Sequence, residues 1–181
     1  MRYFLLFFII AISTPTIASE GVFEIKSAQT YLENDRYFLN TSVNYELSEE
    51  SVRALQSGIA LTIIFQIEVL KERWYLWNEK VATANYHFIL RFHPLSNHYV
   101  VTYPEKDKSY VFANLAELLS ILGMVRDIPL LEKSQLSNDH LYQVRLSTYL
   151  DIEALPPSLR TIAYFSREWR MFSDTFSCPL S

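Results

Sequence analysis

From about residue 20 onward the chain alternates apolar and polar side chains with a period of two, which places successive residues on opposite faces of a β-strand. In the run Tyr37, Leu39, Thr41, Val43 and Tyr45 one face is largely apolar, while Asn40, Ser42, Asn44 and Glu46 form the other. A longer run carries Ile59, Leu61, Ile63, Phe65, Ile67 and Val69 against Thr62, Gln66 and Glu68. A third sets Ala82, Ala84, Tyr86, Phe88, Leu90 and Phe92 against Thr83, Asn85, His87 and Arg91. Shorter runs at Tyr99–Tyr103 and Ser109–Phe112, and a longer one at Tyr142–Leu150, predict further strands. Val22–Tyr31 and Trp169–Phe176 are predicted to open and close the sheet system.

Helix signals are local. Ser48 is placed to cap a turn carrying Glu49 and Glu50, whose charges suit a helix N-terminus, with Val52 and Leu55 facing inward and Gly58 as the stop. Asn114, with Glu117 three residues on, resembles a capping box; Leu115, Leu118, Leu119 and Leu122 supply an apolar face, and Gly123 ends it. With only three glycines, the tight turns fall to Asn, Asp, Ser and Pro, as in Glu33-Asn34-Asp35 and in His93-Pro94-Leu95-Ser96-Asn97. About eight or nine strands exceed what one open sheet covers with two short helices. The pattern therefore predicts a mainly β fold, an antiparallel β-sandwich with two short connecting helices, and a partly closed barrel as the alternative.

The N-terminus breaks this pattern. Met1-Arg2, the apolar run Tyr3–Ile12 and the small-residue segment Ser13–Ser19 have the layout of a secretory signal peptide, and the apolar core is too short for the roughly 20 residues of a membrane span. We expect cleavage near Ala18 or Ser19, export to the periplasm, and one β-rich domain over residues 19–181 with no stable membrane span. The chain's net charge of −4, with acidic and basic residues mixed, argues against nucleic acid, which is held by clustered Lys and Arg. The single cysteine, Cys178, excludes an intramolecular disulfide, so stability must come from packing; its expected role is a small apolar side chain closing the last strand.

No phosphate-cradling glycine loop, nucleophile elbow or zinc-protease helix occurs, so no catalytic residue is assigned and no cofactor is implied. His87, His93, His98 and His140 read as solvent-facing residues rather than a metal site, because a structural site needs four closely spaced ligands. Glu49-Glu50 and the Asp151/Glu153 pair read as helix-dipole and solvated-strand-end residues rather than an acid/base pair. One local feature stands apart: Lys71-Glu72-Arg73-Trp74-Tyr75-Leu76-Trp77 concentrates charges and three large aromatics between two predicted strands. Trp and Arg dominate interface hot spots, so Arg73, Trp74, Tyr75 and Trp77 are candidate binding residues, with Arg160 and Trp169 as candidates to join them; the alternative, favoured by the usual burial of aromatics, is that these rings fold back to cover one end of the sandwich.

The runs Leu55-Gln56-Ser57-Gly58-Ile59-Ala60-Leu61, Arg73-Trp74-Tyr75-Leu76-Trp77, Asn97-His98-Tyr99-Val100-Val101 and Leu155-Pro156-Pro157-Ser158-Leu159-Arg160, with Trp169 following, resemble domain-of-unknown-function family 4390. The resemblance implies an exported proteobacterial protein with no assigned activity, often encoded beside a membrane sensor kinase of the nitrogen-regulation type, and transfers no catalytic residue. Two expectations follow. The first is an interaction or sensing module with an envelope or inner-membrane partner such as that kinase, which requires Trp74 and Trp77 to be exposed. The second is a carrier of a lipid or other apolar ligand, which requires an internal cavity of about 300 Å³ or more. An enzyme of unrecognised type ranks last.

Overall fold

The computed structural model describes residues 21–75, 77–137 and 139–181. The predicted signal segment and its cleavage site lie outside the described residues. Among the described residues nine strands form two antiparallel sheets. β1 (Val22–Glu33), β2 (Arg36–Glu46) and β7 (Met124–Glu132) make the smaller one, in the order β1-β2-β7. The larger runs β6-β5-β4-β3-β8-β9, from β3 (Leu61–Lys71), β4 (Glu79–His93), β5 (His98–Tyr103), β6 (Lys108–Phe112), β8 (Tyr142–Leu150) and β9 (Phe176–Pro179). The expected sandwich is the architecture; among the described residues the sheets do not close into a barrel, because each has two outer strands with a neighbour on one side only.

Register follows the alternation. On β3, Phe65 lies opposite Tyr86 of β4 and Thr148 of β8, and Leu61, Ile63, Phe65, Ile67 and Val69 are all at most 2% exposed. They meet Leu39, Val43 and Tyr45 of β2 in one apolar cluster. Tyr45 carries a hydroxyl into that cluster, where it donates to Thr148 Oγ1 at 3.3 Å, and Thr148 Oγ1 donates to the Ile64 carbonyl at 2.9 Å. The apolar positions of β1 change phase at a bulge between Ile25 and Ser27, which keeps Phe23, Ile25 and Ala28 on the core.

The turns use the residues available. Asn34 and Asp35 both take left-handed backbone angles, φ 49° and 59°, as a two-residue hairpin between right-twisted strands requires. Asn97 (φ 54°) turns β4 into β5, and Asp107 (φ 48°) turns β5 into β6.

Both expected helices form. In α1 (Glu49–Gln56) the Ser48 hydroxyl accepts from the Ser51 N–H at 3.2 Å, and Gly58 leaves the helix at φ 90°. In α2 (Leu115–Leu122) the Asn114 side chain accepts from the Glu117 N–H at 2.8 Å, and Leu118 and Leu122 are buried between the layers. A third helix, α3 (Pro157–Phe165), adds to the two expected; Pro157 sits in its first turn, where a missing N–H costs nothing. The closing segment also differs from expectation. Arg167–Trp169 is a single 3-10 turn, Phe172 makes one bridge to Tyr149, and only Phe176–Pro179 is a true strand, in which Cys178 is buried opposite Val144.

Candidate functional site

Two places on this frame are unlike ordinary surface. The first is the connection between β3 and β4. Val69 is the last inward residue of β3, and Ala82 opposite it is the first inward residue of β4, so residues 72–75, 77 and 78 run beyond the packed layers and have no core to join. Trp74 is 93% exposed, Trp77 90% and Tyr75 65%. The Trp74 and Tyr75 rings meet edge to face at 5.0 Å, which packs the aromatics on each other rather than on the domain. Arg73 pairs with Glu79 at the base, and the Glu72 N–H donates to the Leu141 carbonyl at 2.9 Å, so the loop is anchored at its foot. By typical side-chain areas the three rings present roughly 500 Å² of surface, comparable with the largest apolar patches of soluble monomers.

Four of the six predicted binding residues, Arg73, Trp74, Tyr75 and Trp77, therefore stand together. Arg160 and Trp169 do not join them. Arg160 lies on α3, where it donates to the Leu155 carbonyl at 3.0 Å and pairs with Glu153 at 3.4 Å. Trp169 is 2% exposed in the core beside α1. Both belong to the end of the sandwich where β3 begins, roughly 30 Å along that strand from the aromatic loop.

The second place is a cleft of about 350 Å³ between the layers, bounded by β7 on one side and by the inner face of β4, β5 and β6 on the other. Its wall is a row of aromatics. Phe88 meets Tyr103 edge to face at 5.3 Å, Tyr103 meets Tyr110 at 5.7 Å, and Tyr86 precedes them on β4. The opposite wall is aliphatic: Ile121 and Leu122 of α2, and Val125 and Ile128 of β7. Burial, and then the neighbouring Glu105 charge, raise the Tyr86 hydroxyl above its ordinary pKa; burial does the same for Tyr103, helped by Tyr110.

Charged groups occupy the cleft's rim: Glu105, Lys106 and Arg126. Ile89 is opposite Thr102, so the chain of β5 turns away at Pro104 just where β4 still offers the His87 N–H. Glu105 takes that role: one carboxylate oxygen accepts from the His87 N–H at 2.9 Å and from its ring Nδ1 at 2.5 Å. Burial alone would raise the Glu105 pKa, but the bonds from His87 outweigh it and hold the carboxyl below its usual value.

Sequence reasoning placed Tyr86 and Phe88 on an inward face but did not assemble the cleft, whose walls come from four strands and a helix. The available signal was the aromatic pattern Tyr86, Phe88, Tyr103 and Tyr110 on three neighbouring strands.

Among the described residues no helix is long and apolar enough to cross a membrane. The family described as Domain of unknown function (DUF4390) matches residues 20–179, and the chain belongs to it. No curated protein and no solved structure matches the chain.

Proposed function

We propose that this DUF4390 protein is an exported periplasmic interaction module that docks on an envelope protein, such as a membrane sensor kinase, through the aromatic loop between β3 and β4. The observation that carries the reading is the exposure of Trp74 and Trp77, 93% and 90%, on a loop anchored at its foot by Arg73 and Glu79. Two nearly bare indoles with an adjacent arginine match the side chains that supply most interface energy, and the partner they fit has an apolar recess flanked by acidic groups. The reading assigns the protein no reaction. Export is supported by the layout of residues 1–18 and is tested by fractionation together with the N-terminal sequence of the mature protein, expected to begin at Ser19 or Glu20.

The docking test is crosslinking in cells followed by recovery of the mature protein. Wild type is expected to bring down one envelope protein that a Trp74→Ala, Trp77→Ala variant of unchanged circular dichroism does not. Equal recovery by both would refute the loop as the docking surface. The cleft between the layers favours a second reading, a carrier of an apolar ligand, because its volume of about 350 Å³ falls within the range of small-molecule pockets.

A further inference from the structure

The interlayer cleft separates two chemistries in a way that specifies more than an apolar ligand. Its walls are rings and aliphatic side chains, and the apolar lining continues outward to lips that stay in water: Ile121 is 49% exposed, Tyr110 49% and Met124 60%. Its rim carries two cations, one from each layer, Lys106 from the turn after β5 and Arg126 from β7. Neither forms an ion pair among the described residues, so both are free to meet a negative group at the cleft mouth. The one acid of the rim, Glu105, is committed to His87 through two hydrogen bonds. A ligand that satisfied this arrangement would place an alkyl chain between the layers and a negative group between the two cations. Resting on the carrier reading, we infer that the cleft binds a single-chain anionic amphiphile, tail between β7 and the β4–β6 face and headgroup at Lys106 and Arg126.

Packed layers stand about 10 Å apart, which admits one extended chain and not a bundle of acyl tails. Tail burial contributes about 0.8 kcal/mol per methylene, so affinity should rise about fourfold with each added methylene until the tail fills the cleft.

The test titrates the full mature chain calorimetrically with octanoate, decanoate, dodecanoate, dodecyl phosphate and dodecanol, all below their micellar concentrations. The expected result is a stepwise gain with tail length and at least tenfold tighter binding of the twelve-carbon anions than of dodecanol. Comparison of dodecanoate with dodecyl phosphate identifies the headgroup. A Lys106→Gln, Arg126→Gln variant should lose the preference for anions and keep the dependence on length. Ile121→Trp should lose the dependence on length, and Met124→Trp at the lip provides the same block if the first variant does not fold. Trp74→Ala with Trp77→Ala should bind as wild type. Binding of dodecanol equal to that of the anions would overturn the headgroup assignment and leave the carrier reading standing; no binding of any probe, dodecanol included, would overturn both. Loss of binding in the loop variant, or none in Ile121→Trp and Met124→Trp, would place the amphiphile elsewhere and overturn the cleft.

Discussion

Where β1 passes β9, the two sheets are joined directly: Thr30 Oγ1 donates to the Pro179 carbonyl at 3.0 Å and accepts from the Ser181 N–H at 2.9 Å. On the other side, where β7 faces β4, β5 and β6, no hydrogen bond among the described residues spans the layers, and α2 stands between them instead. The eight residues of α2 cover about 12 Å, far less than the length of the fifteen-residue β4. The helix fills part of that side with Leu118 and Leu122, stops at Gly123, and the cleft begins at its last turn. One side is joined by backbone and hydroxyl bonding; the other is spaced by a short helix, and the space left over is set by where that helix ends.

This contrast can be broken from either side. The largest effect is expected from Leu118→Ala, which removes a fully buried side chain from the spacer. It should cost about 3 kcal/mol in urea unfolding and lower the selectivity of the cleft for tail length. Next comes Gly123→Ala. An added Cβ would lie 2.0 Å from the Val43 carbonyl oxygen, which is backbone and cannot swing away, so a loss of about 2 kcal/mol is expected. A urea midpoint equal to wild type would show that α2 does not set the spacing. On the closed side, Thr30→Val removes one exposed hydroxyl and should cost about 1 kcal/mol, with faster amide exchange in β9 and none of the change at the cleft.

The smallest effect is pH-dependent. The hydrogen bonds from His87 hold the Glu105 carboxyl below its usual range, so they stabilise the fold above the ordinary carboxylate pKa and the contribution is lost as pH falls through the lowered one. Glu105→Gln should therefore lower stability slightly in the neutral region and converge with wild type at low pH, which flattens the acid limb of the stability curve. An identical acid limb in the two proteins would remove the His87 contact from the account of the open side.

The middle of the larger sheet was the more legible in sequence: β3, β4 and β8 show unbroken alternation, and each was placed within a few residues of its observed span. β7, which bounds the open side, was not, because it breaks the rules that make strands readable. In β7, Asp127 takes φ 56°, the register to β2 slips twice, and Pro129 removes a donor, so Met124–Glu132 shows no steady period. Pro156-Pro157 opens α3, a helix the apolar pattern does not announce, since proline suits the first helical turn. The aromatic loop was legible as a cluster, because Arg73, Trp74, Tyr75 and Trp77 fall within five residues between two strands; its exposure was not, because rings of this size more often fold back over the end of a sandwich. Trp169 was not: whether an indole faces water or α1 depends on a tertiary contact that no local pattern encodes.

Cys178 gives the closed side a property of its own. It is the chain's only thiol, it is 9% exposed in β9, and burial raises its pKa, so little thiolate is present to meet a reagent at neutral pH. A thiol-reactive dye must wait for β9 to lift away from β8. The labelling rate then reports detachment of that last strand as a one-site clock, and it runs without interference from any other sulfhydryl in the molecule.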